Sequence, residues 1–586
     1  MCEDYEIREM PLTLKSVRNQ VEAFLACNGL RLENVDEYVA VFAIGEDAIL
    51  AGGGLAGNTI KCVAVGDTLR GTGMGTKLIS HLVCLAASKG YDHQKVFTKP
   101  ENQLVFTSLG FNMLAASPQA IFLENSTELN TYCTELQTLQ TAGKCGIIVM
   151  NANPFTHGHH YLVEQAAQQV DHLFVMVVHE DKSRFSYTER LTMVRQGCAG
   201  LGNVTVCSGS RYAVSSDTFP TYFLKQIDDA TDEQILLDLD LFARHLAPAL
   251  GVTIRFVGSE PTDALTRRYN QLMHKTLPGR GIAVVEIDRQ VIPGTDGQQV
   301  CGKSISASLL RHYLDDRRFL AAADLAYHTT IPYLIAELAE CALLDELNTT
   351  PKPGLVDRLD NGAHDDMNYQ MMYRSIKVLR PYFVQLAQCG LQCDLPSFGA
   401  INNIGLQAEQ AMYQSTHGVN TYKGALFSMG LAIVAAAHTY YNMHTIDHKT
   451  LRRDIASLAA QFPVARGTHG EMVMARHDIA GARDCACQAY PLLFEQWLPF
   501  FDRHASDPNQ FHKTLLLIMS TLDDTNLYYR GGRQAVGRIK VLAADLLKNY
   551  SLEGMQLLNQ QMIRDHLSPG GSADMLSLTA FIHSLR

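Results

Sequence analysis

The sequence predicts an α/β N-terminal half followed by an all-α C-terminal half. Up to about residue 325, short apolar runs alternate with helical patterns, as in domains whose helices cover a sheet. Beyond about residue 330 the strand patterns fade and amphipathic helical patterns dominate. At 586 residues the chain is also too long for a single hydrophobic core. We therefore expect several domains.

The composition is that of a globular protein, with 47% hydrophobic and 19% charged residues. The net charge of −11 argues against a nucleic-acid partner, whose binding surface would be basic. The first residues lack a basic and apolar signal region, and the longest apolar stretch, Gly424 to Ala437, is too short to span a bilayer. The 14 cysteines show no repeated zinc spacing. These features predict a reduced, cytoplasmic protein with no membrane partner.

Residues 1–125 read as a small α/β domain. The runs Tyr38–Ile44 and Ala48–Ala51 flank a polar turn and predict a hairpin, and Ile60–Val65 predicts a third strand. A glycine-rich loop then leads into a helix over Thr76–Ser88. Glycines at such a junction let backbone amides approach a pyrophosphate closely. The loop residues concerned are Arg70, Gly71, Gly73 and Gly75.

This loop, together with Lys99–Phe111, resembles the acyl-CoA-binding motifs of the GNAT N-acetyltransferases. The resemblance implies a GNAT-like fold for residues 1–125. An acetyltransferase activity and a retained binding or docking module both remain open, because the sequence offers no compelling base for an amine.

Residues 126–143 are polar and predict a linker helix, and residues 144–325 alternate strands with helices. This alternation predicts a doubly wound parallel sheet. The predicted strands are Ile147–Met150, His172–Val178, Val204–Cys207, Ile254–Val257 and Ala283–Ile287.

A polar turn follows the first of these strands and runs into a helix. Backbone N–H groups and the helix dipole favour phosphate at such a point. Thr156 and His159 add a hydroxyl and an imidazole, which can stabilise charge on a nucleotide phosphate. The closely spaced His157, His159 and His160 leave a zinc site as an alternative. The other candidate nucleotide-binding residues of this turn are Asn151, Pro154, Phe155 and Gly158.

Further candidate phosphate ligands lie where later strands end and near residue 306. Lys182 and Arg184 follow the second strand, and Gly258 closes the fourth. In parallel sheets ligands bind outside the carboxyl ends of the strands. Ser306, Ser308 and Arg311 can hold a triphosphate through charge-assisted bonds. The alternatives are solvated loop charges and a capped surface helix.

The Thr156–His159 motif and the Ile305–Arg311 segment resemble the T/H-x-G-H and I-S-x-[ST]-x-x-R signatures of the nucleotidylyltransferase superfamily. Together with the GNAT-like domain and the strings Arg184–Arg190 and Phe256–Pro261, they resemble citrate lyase ligase. That resemblance implies activation of acetate by ATP as acetyl adenylate, with pyrophosphate release. Acetyl transfer to the prosthetic-group thiol on the acyl-carrier subunit of citrate lyase would follow, with AMP release.

The C-terminal region, residues 330–586, carries islands of polar residues between its helices. Paired aspartates and a glutamate are oxygen ligands that Mg²⁺ prefers, and cations beside glycines can neutralise a triphosphate. Each aspartate pair taken singly is also typical of a helix N-cap. The candidate residues are Lys352, Gly354, Asp357, Arg358, His364, Asp365, Asp366, Asn420, Lys423, Arg466, Glu471, Asp523, Asp524 and Arg530.

These islands resemble the triphosphoribosyl-dephospho-CoA synthase family, through Pro351–Arg358, Gly362–Met367, Gly418–Gly424 and Asp524–Gly532. The resemblance implies that ATP and 3′-dephospho-CoA are joined through a ribosyl bond with release of adenine. Because the reaction passes through an oxocarbenium-like centre, we expect one aspartate to stabilise that charge or to activate the attacking 2′-hydroxyl. The others would hold Mg²⁺. The aspartates concerned are Asp365, Asp366, Asp523 and Asp524.

The two halves together predict a bifunctional enzyme that uses ATP at two sites and activates citrate lyase. Its expected cofactor is Mg²⁺, and its expected partners are 3′-dephospho-CoA, acetate and the acyl-carrier subunit. Three alternatives stay open. The N-terminal half could be another nucleotidyltransferase, the GNAT-like domain could be a non-catalytic docking module, and one region could be an inactive scaffold.

Overall fold

The structure is a computed structural model, which describes residues 5–179, 183–209, 212, 230–260, 263–289, 305–463 and 479–586. The chain divides into two compact units. The first comprises residues 1–153 and 158–304, and the second comprises residues 154–157 and 305–586. The predicted fold class, an α/β N-terminal half followed by a helical C-terminal half, is confirmed.

The first unit begins with a mixed seven-stranded sheet whose strands lie in the order β1-β2-β3-β4-β5-β7-β6. Neighbouring strands are antiparallel except β4 and β5, which run parallel and pair only near Thr59 and Ile60. The strands are β1 Tyr5–Glu9, β2 Glu37–Ala43, β3 Ala51–Ala56, β4 Thr59–Val65, β5 Lys95–Thr98, β6 Asn112–Ala116 and β7 Ile121–Glu124.

The predicted hairpin is present, but its second strand was placed too early in the chain. That strand is β3, Ala51–Ala56, and not Ala48–Ala51. Its glycines, which usually weaken a strand, are required here by close packing. A Cβ atom on Gly52 would lie 2.6 Å from the Tyr38 hydroxyl, and one on Gly53 would lie 2.8 Å from Leu82.

The second sheet of this unit is five-stranded and parallel, as the alternating pattern predicts. Its strands lie in the order β10-β9-β8-β11-β12, so the chain starts in the middle and winds to both edges. The strands are β8 Cys145–Met150, β9 His172–Val177, β10 Val204–Ser208, β11 Val252–Gly258 and β12 Ala283–Ile287.

A continuous buried apolar cluster joins the two sheets of the first unit, from Tyr38 and Phe122 to Phe174 and Leu250. The segment predicted as a linker helix is helical over Glu128–Gln137. The α-helices of this part of the chain are Lys15–Cys27, Met74–Ser88, Gln103–Thr107, Glu128–Gln137, His157–Ala167, Tyr187–Cys198, Ala230–Leu241, Ala247–Leu250 and Ala264–Thr276.

The second unit is built from helices around Lys423–Met443, whose side chains are buried from Ser428 to Thr439. Among the described residues this helix alone has the length and apolar composition of a membrane span, yet 78% of its apolar window is buried, as in a core helix. The other described α-helices of this unit are Ala307–Asp315, Phe319–Ala323, Ile331–Asn348, Tyr369–Gly390, Phe398–Ser415, His448–Ala460, Ala482–Cys487, Leu498–Arg503, Gln510–Thr521, Thr525–Lys548, Leu552–Arg564 and Gly570–Ser584.

Candidate active sites

A cavity of about 100 Å³ in the second unit brings together residues that are far apart in the sequence. Lys352, His364 and Asn420 line it, and each comes from a different polar island. The helix Gly570–Ser584 forms another wall through Asp574 and Ser577. The fold therefore assembles at least part of the predicted site in one place.

Lys352 is buried against Glu346, and the two side chains are 1% and 2% exposed. Burial raises the pKa of Glu346, and the Lys352 ammonium opposes this effect. The loop that carries Lys352 is held by Asp357, which accepts hydrogen bonds from the backbone N–H groups of Lys352 (2.8 Å) and Leu359 (2.7 Å). The cavity is thus lined by a buried ion pair, that of Lys352 and Glu346.

Gly354 is required where this loop meets the end of another helix. Its φ is +71°, and a Cβ atom would lie 2.2 Å from the Leu567 carbonyl oxygen. Its N–H donates to the Asn559 side chain at 2.9 Å. Backbone therefore packs on backbone at this point, which only glycine allows.

His364 is held by two neighbours, Ser568 and Arg530. The imidazole Nε2 lies 2.8 Å from the Ser568 hydroxyl, and Nδ1 lies 3.3 Å from the Arg530 guanidinium. Arg530 also donates to the Ala363 carbonyl oxygen at 2.8 Å. Burial and the positive charge of Arg530 lower the pKa of His364, so its imidazole is neutral near pH 7.

Two further groups in the cavity, Asp574 and Tyr422, are outside the predicted set. Burial raises the pKa of Asp574 well above its usual range, and the carboxyl groups of Glu346 and Asp524 raise it further. The Asp574 carboxylate lies against Gly424, where a Cβ atom would be 2.2 Å from Oδ2. The Tyr422 hydroxyl is buried and has no hydrogen-bond partner among the described residues. Both side chains line the cavity and can form hydrogen bonds with a bound ligand.

The four predicted aspartates occupy different environments. Asp524 is buried at the N-cap of Thr525–Lys548, and its carboxylate accepts bonds from Asn526, Leu527 and Ser572. Asp523 is exposed and pairs with Lys540 at 2.7 Å. Asp365 and Asp366 are exposed beside His364. The four aspartates do not form a cluster of metal-ligating atoms among the described residues. The cluster of that kind found there is in the first unit.

Asn420 lines the cavity, whereas Lys423 and Arg358 are exposed and two other predicted residues lie outside the described ranges. Asn420 accepts a hydrogen bond from the Lys423 N–H at 3.1 Å, and the Lys423 ammonium pairs with Glu409. Arg358 is exposed and donates to Asn348 at 2.9 Å. Two predicted residues lie outside the described residues, Arg466 and Glu471.

In the first unit, Arg190 joins the loops that follow β8 and β9. It is completely buried and donates to the Asn151 carbonyl and side-chain oxygens at 2.7 and 2.6 Å. It also donates to Val178 at 2.9 Å and to Phe185 at 3.1 Å. The Asn153 side chain accepts from the Phe185 N–H at 3.2 Å. These contacts fix the carboxyl ends of two adjacent parallel strands.

The next residues, Pro154–His157, belong to the second unit. Phe155 is completely buried, and its carbonyl oxygen accepts from the Thr330 hydroxyl at 2.6 Å. Thr156 is buried and forms an isolated bridge with Ala326. The chain returns to the first unit at Gly158 and His159, in the first turn of His157–Ala167. The first half of the motif is thus fixed by a segment about 170 residues downstream.

The closing motif lies in the second unit, where Ser306 caps the helix Ala307–Asp315. The Ser306 hydroxyl accepts from the Leu309 N–H at 3.0 Å, and Arg311 donates to Ser308 at 3.0 Å. In the first unit, Gly258 ends β11, and its carbonyl oxygen accepts from Asn270 at 3.1 Å. Arg184 lies in the loop after β9, and Lys182 lies outside the described residues.

The glycine-rich loop of the first sheet has the predicted position between β4 and Met74–Ser88. Gly71 and Gly73 have φ of +78° and +83°, and Gly73 is the N-cap of the helix. Arg70 is largely exposed, pairs with Asp67 at 2.7 Å and donates to the Val65 carbonyl oxygen at 3.2 Å. Gly75 lies in the first turn. The loop leaves backbone N–H groups at a helix start, where an anion can bind.

Family models match both halves of the chain. The citrate lyase ligase C-terminal domain matches residues 145–334, and the ATP:dephospho-CoA triphosphoribosyl transferase model matches residues 332–586. The citrate lyase ligase of Haemophilus influenzae is 42% identical over 54% of this chain and 94% of its own. That of Klebsiella pneumoniae is 41% identical over 56% of this chain and 94% of its own.

The relatives that match the C-terminal half are named as synthases and not as ligases. The probable 2-(5''-triphosphoribosyl)-3'-dephosphocoenzyme-A synthase of Pseudomonas fluorescens is 36% identical over 43% of this chain and 92% of its own. Among solved structures, the pantothenate synthetase of Thermus thermophilus covers 36% of this chain and 72% of its own, at 15% identity and a TM-score of 0.22.

Fold, sites and matches together define a two-part enzyme, a ligase region followed by a transferase region. The chain belongs to the citrate lyase ligase family over its N-terminal half and to the triphosphoribosyl-dephospho-CoA synthase family over its C-terminal half. The resemblances to these two families are thereby confirmed.

Proposed function

We propose that the helical half transfers the triphosphoribosyl group of ATP to the 2′-hydroxyl of 3′-dephospho-CoA and releases adenine. The single observation that supports this most is the cavity, where Lys352, His364 and Asn420 meet the carboxyl groups of Glu346 and Asp574. A cation suits phosphate, and buried carboxylates suit a developing positive charge at C1′.

In the proposed reaction the 2′-oxygen attacks C1′ of the ATP ribose. The bond from C1′ to oxygen forms, the bond from C1′ to the adenine nitrogen breaks, and its electron pair leaves with adenine. Asp574 takes the hydroxyl proton, which finally resides on adenine. The raised pKa makes the Asp574 carboxylate a stronger base than an exposed aspartate, which suits this role. The Glu346 carboxylate stabilises the oxocarbenium-like centre, because Asp574 is neutral while it holds the proton.

With Asp574 as the proposed base, the four aspartates predicted from the sequence have other proposed roles. The hydrogen bonds to Asp524 make it a positioning residue that fixes a helix start near Asp574. Asp365 and Asp366 are exposed carboxylates beside His364 and fit a Mg²⁺ ion that also binds the triphosphate. When bound, the ion would neutralise charge on the phosphates. Asp523 forms an ion pair with Lys540 and is therefore a poorer candidate for binding the Mg²⁺ ion.

For the N-terminal half we propose activation of acetate by ATP to acetyl adenylate, with pyrophosphate release. Acetyl transfer to the prosthetic-group thiol of the citrate lyase acyl-carrier subunit follows, with AMP release. His159 and Thr156 are the proposed catalytic residues. The proposed ATP ligands of this half are Asn151, Pro154, Phe155, Gly158, Arg184, Gly258, Ser306, Ser308 and Arg311, together with Lys182, which lies outside the described residues. Arg466 and Glu471, also outside the described residues, are proposed phosphate-binding residues of the helical half.

The loop Arg70–Gly73, whose residues are exposed, supports a docking role for the first sheet. The carrier's prosthetic group contains phosphates, which the helix start of Met74–Ser88 and the Arg70 guanidinium can bind. We propose residues 1–125 as a carrier-docking domain of GNAT-like fold, and a cytoplasmic location where ATP and CoA precursors occur. An intrinsic acetyltransferase activity is the second candidate function.

The test uses reciprocal variants of the full chain. His159→Ala should abolish acetate-dependent release of AMP and pyrophosphate and leave adenine release intact, whereas Asp574→Asn should do the opposite. Adenylyl transfer that proceeds equally without acetate would refute the ligase assignment and favour another nucleotidyltransferase. Loss of both activities in either variant would refute the separation of the two sites.

A further inference from the structure

A second polar cluster lies at one end of two neighbouring strands of the first sheet, β5 and β7, outside the catalytic motifs. His93 precedes β5, Glu124 ends β7, and Glu128 begins the helix Glu128–Gln137. One ligand atom from each residue can be chosen so that all three lie within 4.8 Å of one another. An imidazole and two carboxylates are ligands that Zn²⁺ and related divalent ions accept.

Glu124 carries the second, independent observation. Its side chain is completely buried, and its Oε1 has no hydrogen-bond partner among the described residues. This oxygen faces the His93 Nε2 at 4.0 Å, which is too long for a hydrogen bond. A buried carboxylate oxygen without a partner is costly, and a bound ion is one of the few ways to satisfy it.

Only one nitrogen of an imidazole ring can bind a given ion, and Nδ1 of His93 is the one that lies closer to a carboxylate oxygen, that of Glu128. The His93 Nδ1 lies 3.5 Å from the Glu128 Oε1, close to the spacing of about 3.3 Å between two tetrahedral ligands that are each about 2.0 Å from zinc. The other oxygen of Glu124 accepts a hydrogen bond from the Tyr212 hydroxyl at 2.8 Å. Metal-bound carboxylates usually have such an outer partner, which fixes their orientation.

The backbone around the cluster is also fixed. The Gln94 N–H donates to the Asn125 side chain at 2.6 Å, and the Asn125 side chain donates to that of Gln94 at 2.7 Å. The Asn125 N–H donates to the Gln94 carbonyl oxygen at 3.2 Å. These bonds hold His93 and Glu124 side by side on adjacent segments, so little ordering is needed when an ion binds.

We propose that His93, Glu124 and Glu128 bind a divalent transition-metal ion of the Zn²⁺ class, with water in the remaining position. The ion ties the end of the first sheet to the helix that leads to the second sheet. The site is independent of both proposed reactions. Its role is to stabilise the junction between the two sheets.

The experiment uses metal-free full-length protein and Zn²⁺ alone as the probe. Zinc affinity and stoichiometry are measured by competition with a chromophoric chelator, for the wild type, His93→Gln and Glu128→Gln. The matched controls are His81→Gln, an exposed histidine of the same sheet's helix, and Glu135→Gln, an exposed glutamate of the same helix as Glu128. Because Glu128 is 56% exposed, its substitution should not prevent folding.

The wild type and both controls should bind one zinc ion more tightly than Glu128→Gln, by at least about tenfold. Zinc should also raise the melting temperature of the wild type and not that of His93→Gln, because an ion that binds only the folded state stabilises it. Equal affinity and equal stoichiometry in the wild type and Glu128→Gln would overturn the proposal. So would a wild type that binds no zinc, or an equal loss in Glu135→Gln.

Discussion

Lys352 and Glu346 form an ion pair inside the second unit, and both residues line the cavity proposed as the synthase site. The pair is almost fully removed from water, with side-chain exposures of 1% and 2%. A buried pair of this kind adds little net stability, yet it is costly to break because the remaining charge stays buried. The proposed role of Lys352 in binding a ligand phosphate would explain a charge at this buried position.

Replacing Lys352 by methionine should therefore destabilise the second unit by about 3–5 kcal/mol. The only tryptophan of the chain, Trp497, is buried in that unit, so its fluorescence during urea unfolding reports on it alone. Lys423→Met, which breaks the pair of an ammonium that is 53% exposed, should cost less than about 1 kcal/mol. Equal costs for the two variants would contradict the account.

Asp574→Asn should stabilise the second unit at high pH while it abolishes adenine release. The folded-state pKa of Asp574 is raised, so its contribution to stability is present below the usual aspartate pKa and is lost as the pH rises through the raised value. Trp497 fluorescence at several pH values between 5 and 9 should show the variant gaining on the wild type as the pH increases. A gap that shrinks with pH would refute the raised pKa.

Asp524→Ala and Asp523→Ala should differ in stability although the residues are adjacent. Asp524 caps a helix and accepts bonds from Ser572, so its loss should cost at least about 0.5–2 kcal/mol, the range for a lost N-cap. Asp523 forms an exposed pair with Lys540 and should cost less than about 1 kcal/mol. Urea unfolding followed by Trp497 fluorescence measures both. A larger cost for Asp523 would show that the capping assignment is wrong.

Arg190→Lys should impair the ligase half without affecting the synthase half. Lysine cannot reproduce the planar set of donors that joins Asn151, Val178 and Phe185, so the loops that follow β8 and β9 should shift. A displacement of about 1 Å can cost about 100-fold in rate. Acetate-dependent pyrophosphate release is the measurement, and Arg195→Lys, an exposed arginine of the same helix, is the control. Unchanged release in Arg190→Lys would contradict this positioning role.

The sequence predicted the parallel sheet well because its strands are short apolar runs between polar turns. The strand β12 has the predicted ends, Ala283 and Ile287. The strand β3 was predicted too early in the chain because its Gly52–Gly54 run is typical of a turn, and the packing of Tyr38 and Leu82 explains the glycines there. Local patterns therefore predict strands whose side chains are buried. They misplace a strand whose glycines pack through their backbone.

The candidate site of the synthase was only partly predictable. Lys352, His364 and Asn420 belong to distinctive polar strings, and the fold brings them to one cavity. Asp574 and Glu346 lie within apolar helical patterns, where a single carboxylate resembles an ordinary surface position. Their meeting depends on helix packing between residues more than 200 positions apart, which no local pattern encodes. For Asp524, the sequence left a helix N-cap open as an alternative, and the structure places this residue at the N-cap of Thr525–Lys548.

The most direct test of the central claim is chromatography of the products formed from ATP and 3′-dephospho-CoA by the purified chain with Mg²⁺. The account predicts adenine together with a larger CoA conjugate in equal amounts, both lost in Asp574→Asn and both retained in His159→Ala. Folded protein that releases no adenine, or Asp574→Asn with wild-type activity, would contradict the assignment of the cavity as the synthase site.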